Sequence, residues 1–132
     1  MFIHLTDPWI AAWNDRAGPA VLATVHPETL LPNVIYIGQV FMDDPGTWLI
    51  ADSAFDKTRR NILAGSHASL LWLTKSGPAY QLLGELHYEE SGDRFDRMIG
   101  KVEELYRDGV KAAAVFRPTE LFMGPQRLLP AT

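Results

Sequence analysis

Apolar and polar positions change period several times along the chain, and each change marks an element. Trp9, Ile10 and Trp13 share one face of a helix that Asp7 and Pro8 open, as an acidic N-cap and a proline at the first helical position, and that Arg16 to Pro19 stops. Ala20 to Val25 reads as a buried strand, residues 26–32 as a turn or loop, and Asn33 to Met42 as a second strand rich in β-branched and aromatic residues, paired with the first as a hairpin. A turn signal at Asp43 to Gly46 precedes a third strand, Thr47 to Asp52. Asp56 to Ala64 is a short basic helix with Ser53 or Asp56 as N-cap and Gly65 at its end. Ala68 to Thr74 and Ala79 to Tyr88 are strands joined by a turn, and Gly84 within the second marks a bulge or a barrel corner. Phe95, Met98, Ile99, Val102, Leu105 and Tyr106 recur at helical spacing, which predicts a longer helix over Ser91 to Arg107 with Ser91 as N-cap and Gly109 at its end. Ala112 to Arg117, closed by Pro118, gives a sixth strand, and Thr119 to Met123 a short seventh.

Strands in hairpin order, with only two helices to serve as crossovers, exclude a doubly wound parallel sheet. The expectation is a mainly β chain: a six- to seven-stranded antiparallel barrel of Greek-key type with one short and one longer inserted helix, forming a single domain over 1–132.

Composition narrows the function. The 132 residues are 47% hydrophobic and 21% charged, enough apolar material for a core. The absence of cysteine excludes disulfides, thiolate catalysis and cysteine-bearing zinc motifs. The uncharged stretches 29–42 and 61–74 are broken by Gly, Pro, His or Asn and do not span a bilayer, and residues 1–15 lack the basic start and apolar run of a secretory signal, so the expected location is cytoplasmic. A net charge of −4 gives no general attraction to nucleic acid. The four histidines, His4, His26, His67 and His87, have no ligand spacing and read as surface or satisfied polar groups rather than metal ligands.

One local departure from the acidic average remains. Lys57, Arg59 and Arg60 are three of the twelve basic residues and fall within four positions. No G-x-G-x-x-G or P-loop is present, yet a strand end, a small-residue turn and a helix opening with Lys57 and Thr58 combine free N–H groups, a hydroxyl and an ammonium, the donors a phosphate needs. A solvated basic helix face accounts for the same residues without a ligand.

The segment ADSAFDKTRRNILAGSHASLLWL, residues 51–73, resembles the central part of the FMN-binding split-barrel family, which contains the pyridoxamine 5′-phosphate oxidases and the small FMN-binding proteins. The order of elements is similar in outline over about residues 8–122. The resemblance implies a split barrel with FMN as cofactor. It assigns Lys57 and Thr58 to the FMN phosphate, Asp52 and Ser53 to the ribityl chain and ring, and Val34, Ile35 and Tyr36 to the isoalloxazine, largely through main-chain groups. It matches Gln81 to a glutamine that oxidases of the family use at the flavin, and it implies a homodimer with two equivalent sites at the interface. No side chain emerges as a catalytic acid or base, so the flavin would perform the chemistry, electron or hydride transfer. The stretch 122–132 contains one arginine where pyridoxamine-phosphate oxidases carry an arginine-rich substrate segment, which points away from vitamin B6 oxidation. Trp48, Trp72, Tyr80 and Phe116 are expected in the core rather than stacked on a flavin. Two alternatives stay open: the same fold holding a deazaflavin or a pyridoxal phosphate derivative, and a non-enzymatic binding or stress-response module.

Overall fold

A computed structural model describes residues 1–132. In chain order its elements are α1 (Asp7–Asn14), β1 (Ala20–Val25), β2 (Pro32–Ile37), β3 (Val40–Asp44), β4 (Thr47–Asp52), α2 (Lys57–Leu63), β5 (His67–Leu73), β6 (Ala79–Glu89), α3 (Asp93–Lys101), α4 (Glu104–Arg107), β7 (Ala112–Met123) and β8 (Gln126–Leu129). The strands form one antiparallel sheet in the order β2-β1-β5-β6-β7-β4-β3, with β8 paired to β7. The two ends of that path, β2 and β3, are consecutive in the chain and joined only by Gly38 and Gln39. Three peptide units reach about 11 Å, so the sheet must curl until its edges meet. No ladder joins those edges, and the result is the expected split barrel: a curled sheet closed by a strand corner instead of by hydrogen bonds.

The expected second strand, Asn33 to Met42, is therefore two strands, because the chain turns that corner in its middle. The expected sixth and seventh strands are instead one, β7, running through Pro118. Proline is tolerated there because it stands at a bulge: the register against β6 shifts between Leu83 and Gly84, and the β4 ladder has already ended at Trp48 opposite Phe116. The extra residue, Thr119, donates its hydroxyl to the Leu83 carbonyl at 3.2 Å. Gly84 is required at this bulge, since a Cβ would run into the Arg117 carbonyl and lie 2.6 Å from Pro118 Cα.

The interior is aromatic. α1 packs Trp9 and Ile10 against the core and inserts Trp13, whose ring meets Trp48 at 5.7 Å and Trp72 at 5.1 Å, both edge to face. Trp48 continues to Phe116 at 6.4 Å, and Trp72 stacks on Tyr80 at 5.6 Å. Trp48, Trp72 and Phe116 are buried and Tyr80 is half-buried against them, which places all four in the core as expected. The first residue of α1 is Asp7 itself, with Thr6 at the N-cap position.

The expected helix over 91–107 breaks in two. Phe95, Met98, Ile99 and Val102 pack with Leu49, Ala51, Ala113 and Val115 on the opposite face of β4 and β7. To bury Val102 the chain leaves helical geometry there, with ψ of 137°. Arg107 then donates to the freed Val102 carbonyl at 2.8 Å. Leu105 and Tyr106, beyond the break, are exposed instead of facing the core. The N-cap position of α3 is Gly92, not Ser91.

Candidate functional site

A cleft follows the seam of the barrel, where β2 and the Gly38–Gln39 corner diverge from the end of β4. Its larger part, about 390 Å3, lies between Ile35 to Gln39 on one side and Ala51, Ser53, Ala54 and Phe55 on the other, with Tyr106 of α4 at its mouth. A smaller part of about 170 Å3 shares Ile35, Ala54 and Phe55 with it and ends at Asn33, Asp56, Lys57 and Thr58. The walls of the first part are mainly apolar, and the second part ends in a hydroxyl, an amide and a cation. A molecule with a flat apolar body and an anionic tail matches this division.

The polar end is built by contacts between β2 and α2. Asn33 donates to the buried Thr58 hydroxyl at 2.8 Å, which leaves the Thr58 hydrogen free to donate into the cleft. Asn61, also buried, donates to Thr24 at 3.0 Å and pins α2 to β1. Ser66 accepts from the Val25 N–H at 2.9 Å and fixes the exit of α2 on the same strand. Lys57 is exposed and makes no ion pair, so its ammonium is available at this end. Asp56, the only carboxylate in the smaller part, is held by Arg60 at 3.2 Å.

The three neighbouring bases thus have three different roles. Arg60 makes an exposed i,i+4 pair, Lys57 is free, and Arg59 turns inward to Asp52. Asp52, fully buried at the end of β4, accepts from Arg59 Nε at 2.7 Å and NH2 at 3.0 Å, from the Tyr88 hydroxyl at 2.6 Å and from the Phe55 N–H at 3.0 Å. Burial pushes this carboxyl up, but the hydrogen bonds from Arg59, Tyr88 and Phe55, with the Arg59 charge, outweigh it and hold Asp52 below the usual carboxylate range. The Asp52 hydrogen bond in turn pushes the Arg59 guanidinium up. Burial, then the bond to Asp52, pushes the Tyr88 phenol up. All four contacts are internal, so the Asp52 side chain anchors the 53–56 turn from beneath, while Ser53 above it lines the cleft.

Of the residues expected at a flavin, Ile35, Tyr36, Ser53, Lys57 and Thr58 come together along the cleft, and Asp52 is buried and reaches it only through its bond to the Phe55 N–H. Val34 and Gln81 do not join them within one chain. Alternation along β2 turns Val34 to the outer face of the sheet, where it is 63% exposed. Gln81 is on the same outer face, donating to Ser69 at 2.8 Å. The registers align Tyr36, Val21, Leu71, Gln81 and Phe122 in one row across five strands. Gln81 is three strand spacings, about 14 Å, from Tyr36 along that row.

Sequence reasoning did not single out Asn33, Gln39, Phe55 or Tyr106 as site residues. Gln39 and Tyr106 carry no motif, and the helical period assigned Tyr106 to the core. The nearest available signal for Phe55 was its place in the small-residue turn before Lys57.

Among curated proteins, none matches the chain. Solved structures share its fold. One is HupZ of Group A Streptococcus, 16% identical, with 97% of each chain covered and a TM-score of 0.75. Another is an FMN-binding protein of Syntrophomonas wolfei, 19% identical over 92% of this chain and 84% of that one, with a TM-score of 0.72. A third is an F420 reductase, 16% identical over 89% and 98% of the two chains, with a TM-score of 0.67. No helix is long and apolar enough to cross a membrane. The model of the pyridoxamine 5′-phosphate oxidase family matches residues 7–123, nearly the whole barrel from α1 through β7, and the chain belongs to that family.

Proposed function

We propose that the chain is a cytoplasmic, homodimeric FMN-binding flavoprotein of the oxidoreductase type. The observation that carries this reading is the seam cleft, apolar along its length and closed at one end by Lys57, Thr58 and Asn33. These residues fit a ribityl phosphate: Lys57 and the Thr58 hydroxyl hold the phosphate, Asn33 fixes Thr58, Ser53 faces the ribityl chain, and Ile35 and Tyr36 lie along the ring. Asp52 sets the height of the 53–56 turn through its bond to the Phe55 N–H. FMN, when bound, supplies electron or hydride transfer. The protein contributes position, a dry wall and a cation at the phosphate.

The dimer is proposed from the outer face of β2, β1, β5 and β6. Tyr36 is 78% exposed, Leu73 54% and Leu71 41%, and none of the five residues in the row from Tyr36 to Phe122 is charged. An uncharged row of this kind suits a second copy of itself across a two-fold axis. Such pairing brings Val34 and Gln81 of one subunit toward the cleft of the other, which one chain alone leaves without them.

A visible absorption spectrum of the purified protein and a titration with FMN test the reading. Lys57→Ala is expected to weaken FMN binding by about 1.5–3 kcal/mol with little change in the unfolding midpoint, because Lys57 has no partner within the fold. Absence of FMN binding by the wild-type chain overturns the proposal. The shared fold with an F420 reductase supports one alternative, a deazaflavin in the same cleft, and competition between the two cofactors decides between them.

A further inference from the structure

Beside the ring end of the seam cleft lies a second hollow of about 250 Å3, lined by Arg16, Gly18, Pro19, Ala20, Ile37 to Val40, Glu103 and Tyr106. Ile37, Gly38, Gln39 and Tyr106 line both spaces, so only the β2–β3 corner and one side chain divide them. The hollow is smaller than the clefts that hold drug-sized molecules and more polar than the seam.

Its distinctive group is Arg16. Of the eight arginines, Arg59, Arg60, Arg94, Arg97 and Arg127 each pair with a carboxylate, whereas Arg16, Arg107 and Arg117 have none within 4 Å, and of these three Arg16 alone lines the hollow. Its NH1 donates to the Trp13 carbonyl at 2.7 Å, and its guanidinium lies 3.8 Å from the centre of the Trp13 ring. That ring is buried, so the cation is held on a rigid platform with four of its five N–H donors unused. Burial pushes the guanidinium pKa down, and no neighbouring charge offsets the cost. A half-buried cation held in place without an ion-pair partner is a receptor for an anion.

The rest of the lining defines which anion. Glu103 shares the wall, and its N–H is tied to Gln39 Oε1 at 3.2 Å. A hollow whose lining holds one cation and one carboxylate, the two more than 4 Å apart, disfavours a dianion and leaves an acceptor for a hydroxyl or amine on the same ligand. We propose that this hollow binds a small organic monocarboxylate bearing a hydroxyl or amino group, its carboxylate on Arg16 and its donor toward Glu103. Its role as the reactant subsite of a bound cofactor rests on the flavin reading above; the carboxylate binding itself does not.

The test is calorimetric titration of the flavin-free and the FMN-mixed protein with 4-hydroxybenzoate and lactate, and with the corresponding amides, 4-hydroxybenzamide and lactamide. At least one acid is expected to bind the wild type at least about tenfold more tightly than its amide, the minimum for a charge-assisted contact. Arg16→Gln is expected to abolish that difference, Arg16→Lys to retain part of it, and FMN affinity to stay within about threefold in both. Thermal melts accompany the variants because Arg16 packs on Trp13; if Arg16→Gln does not fold, the acid-to-amide ratio on the wild type and on Arg16→Lys decides. Equal binding of acid and amide, no binding of either acid, tighter binding of inorganic phosphate than of the acids, or an unchanged ratio in a folded Arg16→Gln overturns the proposal. Acid binding that depends on Arg16 in a protein that does not take up FMN leaves this hollow standing and removes the cofactor reading.

Discussion

Replacing Arg59 by methionine separates a structural base from a ligand-binding one two residues away. The change keeps the length of the side chain and its helix propensity while removing the charge and the guanidinium donors. Asp52 loses two of its four hydrogen bonds and its only counter-charge, and it is fully buried, so water cannot replace them without opening the end of β4. Breaking a buried pair from one side costs about 3–5 kcal/mol, and two charge-assisted hydrogen bonds at about 1.5–3 kcal/mol each give an overlapping range, about 3–6 kcal/mol, by a separate route. Arg59 is 25% exposed in its side chain, but Asp52, the partner left behind, has no exposure, so the buried-pair figure applies. For a chain of this length the loss corresponds to a fall in melting temperature of roughly 12–20 °C. Urea unfolding followed by tryptophan fluorescence measures it, because Trp13, Trp48 and Trp72 all report on the core. Arg60→Met in the same assay is expected to cost under about 1 kcal/mol, since both partners of that pair are more than two thirds exposed. If Arg59→Met also costs less than about 1 kcal/mol, the description of Asp52 as an anchored buried carboxylate is wrong.

Further outcomes follow from other parts of the fold. Asp52 is held below its ordinary value of about 3.9, so its pairing contributes fully above that pH and is lost as the pH falls through the lower folded value. Unfolding free energy measured between about pH 5 and pH 2 should therefore fall more steeply in the wild type than in Asp52→Asn, and parallel profiles would remove Asp52 as a source of acid sensitivity. Gly84→Ala should destabilise by at least about 1–3 kcal/mol, because the atoms its Cβ meets belong to the backbone of residues 117 and 118; a neutral result in urea unfolding would mean that the bulge relaxes. Tyr36→Glu places a carboxylate in the uncharged outer row and should convert a dimer to a monomer in sedimentation velocity; an unchanged sedimentation coefficient would place the interface elsewhere.

The hairpins and the positions of the three helical segments were legible because each rests on local periodicity or on a turn residue. Harder to read were the points where one element serves two partners. Asn33 to Met42 has continuous β character, and nothing in its composition says that residues 38 and 39 must carry the chain from one sheet edge to the other. That demand comes from pairings to β1 and β4, which the local sequence does not contain. Pro118 reads as a strand end on its own, and its place inside β7 depends on a bulge created with Gly84 of another strand. The site was legible to the same extent. Lys57, Thr58 and Ser53 lie in one contiguous segment with recognisable chemistry, whereas Gln39 and Tyr106 reach the seam, and Arg16 the hollow beside it, from three separate parts of the chain. The basic run at 57–60 looked uniform because charge is visible in a sequence and partners are not.

The corner at Gly38 and Gln39 also bears on how the barrel moves. β2 and β3 are each held by a ladder on one side only and are joined to each other by the covalent corner, whose Gln39 carbonyl accepts from the Ala51 N–H of β4 at 2.9 Å. Opening the seam therefore requires few backbone bonds to break. A molecule seated along it touches β2, the corner and the end of β4 together, acting as a clasp across edges that the backbone leaves unjoined. Amide exchange in residues 33–42 should then slow on occupancy far more than exchange in β5 or β6, with no change in sheet architecture.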